Sequence, residues 1–526
     1  MDLIHVAEHL TSDHRDASAA QLYREWIRHH SSPALYVAHF NLGVIQAKLQ
    51  DHEGAEQSYR AALELMPGFV QAHLNLGNVL ERRGLSAEAL TEWRMALALT
   101  RPDAPDDKPL RIHALNNLGR LLEICKDYTA AEDMLTQSLA LDPKQPEAIA
   151  HWVHLRQKLC LWPAFKPFEG ATHADLVNGA SALALLAGSD DPAVQLAAAR
   201  RYVQKKVLSL QEPLAAPEGY HHPRLRIGYL SSDFCNHAVS ILTAELYALH
   251  DRAKVEVYGF CWSREDGSPL RARVVGAMDH YIRIDGMSDE AAARCIREHE
   301  IDILVDLHGL TLGARHDILS WRPAPVQVTY LGFPGTTALP AIDYVIADRF
   351  VFPEELAPCF TEKPLYLPGC FQINDRQRAI GPRPTRAACG LPDDAFVFCS
   401  FNSTFKITPE MFGAWMEILR HTANSVLWLI ADSDAVRDTL RQEARQHDVD
   451  PERLIFAQRV APENYLARYQ VADLFLDTNP FNAGTTASDA LWAGLPLLTY
   501  AGATFGSRMA GSLLHAVDLP ELVTHS

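Results

Sequence analysis

Small and apolar residues recur with a period of 34 in the first 150 residues. Gly43 and Gly77 lie 34 residues apart, and Gly119 follows after 42, with the surplus in a proline- and aspartate-rich connector, 102–109. An alanine, a large apolar residue and a proline follow each glycine at similar distances, which is the tetratricopeptide pattern of paired antiparallel helices. The sequence predicts three such repeats, preceded by a degenerate capping repeat around residues 17–30.

Each of the three repeats carries an asparagine two positions before its glycine: Asn41, Asn75 and Asn117. Asparagine is a poor residue for a helix interior. One interpretation is a ladder of amides on the concave face, since an amide offers a donor and an acceptor to the backbone of an extended peptide. The alternative is chance combined with an ordinary hydrogen bond on the helix surface. The first interpretation predicts protein or peptide acceptors as partners of the repeats.

From residue 223 onward, short apolar runs alternate with amphipathic helical stretches. Strands are predicted over 225–230, 255–261, 301–306, 326–331, 342–347 and 364–367, and in a second series over 396–401, 425–431, 454–457, 474–477 and 496–500. Helices are predicted between them, for example over 409–420 and 435–446. This alternation indicates parallel, doubly wound sheets. Two such halves in tandem create a cleft at the carboxyl ends of their strands, where ligands bind.

These changes of pattern predict four segments, in the order repeat domain, helical linker, first Rossmann-like half and second Rossmann-like half: 1–150, 151–222, 223–381 and 382–526. Three prolines mark the end of the linker: Pro213, Pro217 and Pro223.

Composition and charge narrow the setting of the protein. An excess of 65 Asp and Glu over 48 Lys and Arg gives a formal charge of −17, which opposes binding to nucleic acids. Nine cysteines without a CxxC pair favour neither a zinc site nor a disulfide framework and fit a reducing compartment. The start at Met1 and Asp2 lacks the features of a signal peptide, and no apolar run approaches the roughly 20 residues of a membrane helix. We expect a cytoplasmic protein without a membrane or nucleic-acid partner, whose oligomeric state stays open.

The strongest candidate site is the segment from Asn482 to Asp489. It follows an apolar strand and a loop, and Thr485 and Thr486 stand at the start of a predicted helix. The free N–H groups of a helix start can hold an anion such as a diphosphate, and Asp489, one turn further, can accept hydrogen bonds from ribose hydroxyls. An ordinary N-cap threonine is an equally good interpretation of these residues alone.

Other polar residues are placed at the same cleft by the ends of strands. Lys406 follows the first strand of the second half, where it can neutralise a departing pyrophosphate, an effect of roughly 3 kcal/mol; the alternative is a solvated lysine. His237 follows the first strand of the first half and can act as a base or orient an acceptor. The alternative, which is commoner for a lone histidine, is a ring that forms hydrogen bonds only within its own loop. Two further loops at strand ends carry polar or small residues: His308, Thr311, Gly332 and Pro334.

Together these residues resemble one known family. The repeats with recurring asparagines precede five segments in a fixed order: 227–237, 322–327, 331–336, 402–406 and 482–496. This order is similar to that of the O-GlcNAc transferase family, including bacterial SPINDLY-type members, and the resemblance covers nearly the whole chain. It implies α-helical tetratricopeptide repeats followed by an α/β GT-B glycosyltransferase with two Rossmann-like parallel-sheet domains.

The resemblance also implies inverting, metal-independent transfer of N-acetylglucosamine from UDP-GlcNAc to Ser or Thr of proteins, with no cofactor. Lys406 and His237 would be the catalytic residues, the first stabilising the leaving UDP and the second lining the sugar and acceptor site. The nucleotide sugar would be held by a set drawn from both halves: Ser403, Arg468, Asn482, Thr485, Thr486, Asp489, Gly332 and Pro334. The acceptor would be held by Asn41, Asn75, Asn117, His308 and Thr311. No carboxylate in these motifs stands out as the general base.

Several positions depart from the family pattern. Gly484 stands where animal members have His, Phe481 where they have Cys, Ser403 where they have Gln and Tyr465 where they have His. Phe481 favours a narrower sugar pocket, so another donor such as UDP-glucose or GDP-fucose stays open. A non-catalytic, peptide-binding scaffold also stays open, because the chain ends soon after Val523, where family members continue with further helices, and a truncated second half is expected.

One motif points towards a metal ion. Asp432-Ser433-Asp434 has the spacing of the DxD metal motif of some glycosyltransferases. Asp is common in loops after strands, and no His or further carboxylate accompanies this motif. We therefore reject the motif as a metal site and predict no metal.

Overall fold

The computed structural model describes residues 3–216, 218–458 and 460–526, so Met1, Asp2 and the predicted boundary residue Pro217 lie outside the described residues. The chain forms two compact units, one of residues 1–155 and 167–179 and the other of residues 156–166 and 180–526. The predicted linker contributes residues to both units, and the three boundaries between the four predicted segments stay predictions. In the described part of the chain, no helix combines the length and the apolar character needed to cross a membrane.

The first unit is built from antiparallel helix pairs. Its helices are α1 (Leu3–Ser12), α2 (Asp16–His29), α3 (Leu35–Lys48), α4 (His52–Leu65), α5 (Val70–Arg82), α6 (Ser86–Leu99), α7 (Lys108–Ile124), α8 (Tyr128–Leu141), α9 (Pro146–Lys158), whose last turn runs past residue 155, and α10 (His173–Gly179). Helix α3 packs on α4, α5 on α6 and α7 on α8, and α1 packs on α2 in the same way. The three predicted repeats are confirmed, together with a preceding helix pair.

Glycine allows the two helices of a repeat to approach closely. A Cβ atom on Gly43 would lie 2.8 Å from the ring of Tyr59, and one on Gly77 would overlap the indole of Trp93. Trp93 is completely buried, so its ring has no room to move aside. A residue without a Cβ atom is therefore required at these positions, which explains why the glycine recurs.

The first half of the second unit contains a parallel sheet of seven strands. The strands are β1 (Leu225–Ser231), β2 (Val255–Cys261), β3 (His280–Arg283), β4 (Ile303–Asp306), β5 (Val326–Thr329), β6 (Tyr344–Ala347) and β7 (Lys363–Tyr366). They pair in the order β3-β2-β1-β4-β5-β6-β7. The helices before and between them are α11 (Ala182–Gly188), α12 (Pro192–Lys206), α13 (Ala238–Thr243), α14 (Leu246–Leu249), α15 (Pro269–Gly276), α16 (Asp289–Glu298) and α17 (His316–Ser320).

The second half contains a parallel sheet of six strands. These are β8 (Phe396–Ser400), β9 (Ser425–Ile430), β10 (Leu454–Ala457), β11 (Leu474–Leu476), β12 (Leu497–Tyr500) and β13 (Val523–Thr524), paired in the order β10-β9-β8-β11-β12-β13. Its helices are α18 (Pro409–His421), α19 (Asp434–Gln446), α20 (Pro462–Arg468), α21 (Thr485–Trp492) and α22 (Met509–Ala516), and a short 3-10 turn covers Thr404–Lys406. Two parallel sheets in tandem confirm the predicted pair of Rossmann-like halves.

Two strands have no counterpart among the predicted elements. Strand β3 carries His280 and Arg283 at its ends, and β13 is only two residues long. Both lie at a sheet edge, where a strand needs no continuous apolar run. The other strands agree with the predicted ranges within two residues at each end.

Helix α22 of the second half is anchored on the first half. Arg508 Nε donates a hydrogen bond to the Phe350 carbonyl at 2.6 Å, and the Ser512 hydroxyl donates to the Asp348 carboxylate at 2.5 Å. A Cβ atom on Gly511 would overlap the Phe350 ring. The joint between the halves is thus both hydrogen-bonded and closely packed.

The substitution Gly77→Val should lower the free energy of unfolding by about 2 kcal/mol, within the range for overpacked cores, because the new side chain overlaps the Trp93 indole. Chemical denaturation of the full chain, followed by circular dichroism, measures this loss. Gly68→Val is the matched control, since among the described residues no atom outside Gly68 and its two chain neighbours lies within 4 Å of a Cβ at Gly68. Equal unfolding midpoints for the two variants would contradict the prediction.

Candidate functional site

The predicted anion site is the N-terminus of α21, which begins at Thr485. Gly484 precedes it, and no side chain caps the helix, although Ser, Thr, Asp and Asn are the usual caps. The N–H groups of a first helical turn lack partners within the helix, and here the first helical bond runs from the Ser488 N–H to the Gly484 carbonyl at 3.0 Å. This helix start therefore suits a negatively charged ligand.

The loop before α21 is shaped by the buried carboxylate of Asp477. Its Oδ1 accepts hydrogen bonds from the N–H groups of Thr478 at 2.7 Å and Ala483 at 2.8 Å. Its Oδ2 accepts from the Thr499 hydroxyl at 2.7 Å. The Asn482 side chain, predicted to bind the donor, closes the same loop by donating to the Thr478 carbonyl at 2.8 Å. Burial raises the pKa of Asp477 to about 6, because the charged form has lost its hydration.

Lys406, at the end of the short 3-10 turn, reaches this loop. Its Nζ donates to the Asn482 carbonyl at 2.9 Å and lies 3.7 Å from the centre of the Phe481 ring, a cation–π contact. Burial lowers the pKa of Lys406 to about 8, and the charge of Asp477 acts in the opposite direction. A cation is thus held against the loop that leads into α21.

A chain of hydrogen bonds joins α21 to the loop after β8. The Thr486 hydroxyl donates to Asn402 Oδ1 at 2.7 Å, and Asn402 Nδ2 donates to Asp477 Oδ1 at 3.4 Å. Since the Thr486 hydroxyl is engaged within the protein, the backbone N–H of Thr486 is the group that it offers to a ligand. The structure brings Lys406, Thr485 and Thr486 together around one loop, as the sequence predicts.

Asp489, predicted to bind ribose, is buried and already has a partner. Its Oδ1 accepts a hydrogen bond from Arg378 Nη1 at 2.5 Å. Burial raises the pKa of this carboxyl, while the charge and hydrogen bond of Arg378 lower it. Ribose binding by Asp489 stays a prediction, and the ribose hydroxyls would then lie beside this ion pair.

A cavity of about 340 Å³ lies between the loop after β8 and helix α20, and Ser403, Tyr465 and Arg468 are among the residues that line it. Arg468 is buried, donates to the Gln458 carbonyl at 2.5 Å and stacks 5.3 Å from the centre of the Phe401 ring. Burial lowers the pKa of its guanidinium. Aromatic and guanidinium planes of this kind are suited to stacking a base, which agrees with a nucleotide as ligand.

In the first half, two predicted histidines lie around Asp233. The His237 ring is half-exposed, with Nδ1 3.4 Å from the Asp233 carboxylate. His308 is buried: its Nε2 accepts from the Ser232 N–H at 2.8 Å, and its Nδ1 lies 3.0 Å from the Thr311 hydroxyl. Burial lowers the pKa of His308, which favours the neutral ring. His237 is therefore accessible to a ligand, whereas His308 would act on an acceptor through Thr311.

The loop 331–336 of the first half meets the loop before α21 in the second half. A Cβ atom on Gly332 would overlap the neighbouring main chain, so glycine is required there. One on Gly506 would lie 3.6 Å from the Pro334 carbonyl and 3.9 Å from the Phe481 ring. Pro334 and the Phe481 ring of the loop before α21 thus lie at one junction between the halves.

In the first unit, the three recurring asparagines are partly exposed, and each contacts the preceding repeat. Asn41 Nδ2 donates to the Tyr23 hydroxyl at 3.1 Å. Asn117 Nδ2 donates to Asn78 Oδ1 at 2.9 Å, and Asn75 bonds to a tyrosine of the repeat before it. These bonds show a packing role for part of each amide, and peptide binding by the ladder stays a prediction.

The rejected metal motif lies at the start of α19. Ser433 caps this helix, and Asp434 pairs with Arg437 at 2.8 Å on the surface. Within the three described ranges, no group of three or more His, Cys, Asp or Glu side chains is arranged to hold a metal ion.

Four side chains of this region are absent from the residues proposed from sequence: Asp477, Asn402, Arg378 and Gln372. The predicted strand includes Asp477, whereas β11 ends at Leu476 and leaves the carboxylate free to organise the loop. A polar residue directly after an apolar strand is the signal that marks Asp477 and Asn402. No local signal marks Arg378 and Gln372, because they come from the segment between the two sheets.

Known protein families match both parts of the chain. The family described as glycosyl transferase family 41 matches residues 201–382 and 382–526. The tetratricopeptide repeat matches residues 36–69 and 69–144.

Curated relatives match somewhat more than half of the chain. A probable UDP-N-acetylglucosamine–peptide N-acetylglucosaminyltransferase SEC of Arabidopsis thaliana is 39% identical over 302 residues, which are 56% of this chain and 31% of that protein. The UDP-N-acetylglucosamine–peptide N-acetylglucosaminyltransferase of Caenorhabditis elegans is 30% identical over 413 residues, covering 57% of this chain and 36% of that protein. The chain spans about a third of the length of these relatives.

Among solved structures, a variant of the O-GlcNAc transferase of Thermobaculum terrenum is similar, with a TM-score of 0.64 and 25% identity. The match covers 94% of this chain and 88% of that one. It confirms the predicted fold, tetratricopeptide repeats followed by a GT-B pair of parallel sheets. Because the family profile matches more than half of its length, the chain belongs to glycosyl transferase family 41.

Proposed function

We propose that this protein transfers N-acetylglucosamine from UDP-GlcNAc to serine or threonine hydroxyls of proteins, with inversion and without a metal ion. Family membership and the names of the curated relatives support this activity. The observation that carries the proposal is the position of Lys406, whose Nζ lies 2.9 Å from the carbonyl of Asn482 in the loop before an uncapped helix. A lysine cation and a helix N-terminus thus supply positive charge on the two sides of one loop.

The nucleotide sugar takes an extended path along the second half. The base enters the cavity lined by Tyr465 and Arg468, beside Ser403. The diphosphate binds the N–H groups of Thr485 and Thr486, and the ribose lies near Asp489. The sugar then reaches the junction formed by Gly332, Pro334 and the Phe481 ring, where the two halves meet. Asn482 contributes to donor binding by holding the loop before α21 in place.

Transfer occurs in one displacement. The acceptor oxygen forms a bond to the anomeric carbon while the bond from that carbon to the β-phosphate oxygen breaks, through an oxocarbenium-like state. UDP leaves with the electron pair, and Lys406 and the N–H groups at α21 stabilise the charge that develops on it. The acceptor proton passes to a general base. His237 orients the acceptor hydroxyl, since its half-exposed ring stands at the N-terminus of α13, beside Asp233.

The repeats hold the acceptor protein. The partly exposed amides of Asn41, Asn75 and Asn117 recur at one position of each repeat and offer hydrogen bonds to an extended backbone. Thr311, supported by His308, receives the acceptor near the sugar. A cytoplasmic location belongs to the proposal, and the nine free thiols agree with a reducing compartment.

The substitution Lys406→Met should reduce kcat by at least about 100-fold, the usual effect of removing a group that stabilises a leaving oxyanion. The melting temperature should stay the same or rise, because methionine replaces a buried charge. Mass spectrometry of acceptor proteins, after incubation with UDP-GlcNAc, UDP-glucose or GDP-fucose in turn, measures transfer and identifies the sugar. Added EDTA should have no effect.

Lys363→Met is the control for this variant, because Lys363 is an exposed lysine on β7. Near-normal turnover by Lys406→Met would contradict the assignment of Lys406. Transfer from UDP-glucose or GDP-fucose instead of UDP-GlcNAc would show that the transferred sugar is not N-acetylglucosamine. A wild-type protein that neither transfers sugar nor gains thermal stability from UDP would be a peptide-binding scaffold.

The pH profile of kcat/KM should have an alkaline limb near 8 and an acid limb near 6. Activity falls as the pH rises through about 8, because Lys406 loses its proton there. It falls as the pH drops through about 6, because protonated Asp477 no longer supplies negative charge and accepts fewer hydrogen bonds. Asp477→Asn should move the alkaline limb to lower pH, since the charge that raises the pKa of Lys406 is gone.

The control is Asp473→Asn, since Asp473 pairs with Arg386 at 2.7 Å and does not contribute to the pKa shift of Lys406. Initial rates over a pH series with UDP-GlcNAc measure both limbs. An alkaline limb that Asp477→Asn leaves in place would show that Lys406 does not set it.

Replacing Asn41, Asn75 and Asn117 together by alanine should raise the KM for protein acceptors roughly 100-fold, because three hydrogen bonds of about 1 kcal/mol each are lost. The KM for UDP-GlcNAc should not change. Asn116→Ala is the control, because Asn116 is the neighbour of Asn117 but does not belong to the ladder. Its Nδ2 donates to Gln145 Oε1 at 2.8 Å. Steady-state kinetics with a full-length acceptor measure the effect, and an unchanged acceptor KM would remove the ladder from acceptor binding.

A further inference from the structure

One buried amide between the two sheets lacks a hydrogen-bond partner. Gln372 follows β7 in the segment that leads to the second half, and it is only 8% exposed. Among the described residues, its Nε2 has no partner. A buried polar group without a partner is destabilising, so its presence needs an explanation such as a ligand.

The Gln372 side chain lies at the start of α21. Its Oε1 is 3.3 Å from the position that a Cβ atom on Gly484 would take, and Gly484 is the residue that precedes the uncapped helix. The amide therefore reaches the predicted anion site from the opposite half. Two independent features, an uncapped helix start and an unpartnered buried amide, meet at one place.

The main chain on both sides of Gln372 is fixed. The Phe371 N–H donates to the Asp348 carboxylate at 2.7 Å, and the Ile373 N–H donates to the Tyr330 hydroxyl at 3.2 Å. Tyr330 in turn donates to the Phe371 carbonyl at 2.9 Å. These bonds hold the amide at the helix start before any ligand binds.

We propose that Gln372 is a donor-binding residue contributed by the first half, whose amide donates a hydrogen bond to the diphosphate–sugar end of the nucleotide sugar. This inference rests on the proposed function and deepens it. A neutral amide suits the place, because Lys406 and the helix N-terminus already supply positive charge. The amide adds a directed donor that ties both halves to the same ligand.

A binding role and a packing role for Gln372 differ in their effect on the free protein. If the amide serves a ligand, Gln372→Met removes a destabilising polar atom and keeps the shape, so the melting temperature without ligand stays equal or rises. If the amide serves packing, the same substitution lowers that melting temperature, and any loss of affinity is equal for UMP and UDP-GlcNAc.

Isothermal titration of the full chain with UMP, UDP and UDP-GlcNAc tests the proposal, together with the melting temperature of each free variant. Gln372→Met should weaken UDP-GlcNAc binding about tenfold and leave UMP binding unchanged. Gln372→Glu should weaken UDP-GlcNAc binding further, because a carboxylate then faces the diphosphate. Gln195→Met is the matched control: Gln195 is also 8% exposed, and its Nε2 donates to the Ser189 carbonyl at 2.9 Å. That control should lower the melting temperature and leave all three affinities unchanged.

The inference is overturned if the wild-type protein binds UDP-GlcNAc and both Gln372 variants bind it equally well. A lower melting temperature of free Gln372→Met, with equal weakening for UMP and UDP-GlcNAc, also overturns it in favour of packing. A wild-type protein that binds neither UDP nor UDP-GlcNAc contradicts the proposed function itself, and this inference with it.

Discussion

The loop that leads into α21 depends on one buried carboxylate. Asp477 accepts hydrogen bonds from the two ends of the loop before α21, at Thr478 and Ala483, and from strand β12 through Thr499. These bonds give the loop one shape, which fixes the carbonyl that Lys406 contacts and the point where α21 begins. Burial makes this charge costly, so the loop keeps its shape only while all these donors are in place. The positions of Lys406 and of the start of α21 therefore both depend on the loop that Asp477 holds.

Polar residues that follow parallel strands recur throughout the second unit. Asn402 follows β8, Asp477 follows β11, and Asp233 comes soon after β1. Apolar strands fill the sheet interior, so polar side chains stand at the last residues of the strands and in the loops that follow them. Since parallel strands end at the same edge, these residues collect there without any further requirement. In the repeats, by contrast, the absence of a side chain is what matters, because Gly77 lets two helices pack closely.

The sequence predicts the features that repeat or alternate, and it misses contacts between distant segments. The glycine period predicts the helix pairs, and apolar runs predict all strands except the edge strands β3 and β13. Lys406 and Thr486 are predicted because they stand in local motifs, and the structure places both at one loop. Arg378 and Gln372 are not predicted, because their partners lie more than a hundred residues away. The local pattern also does not show that the Asn482 side chain would be used to close its own loop.

The joint at α22 affects how donor preference can change. Arg508 and Ser512 tie this helix to the first half, and the Phe350 ring fills the space beside Gly511. Because these contacts fix the distance between the two halves, the size of a side chain at their junction limits the size of the hexose that fits there. Phe481 is such a side chain. On the proposed function, exchange of this ring for a smaller group widens the space for the hexose and also removes the cation–π contact of Lys406, so sugar preference and the position of the lysine change together.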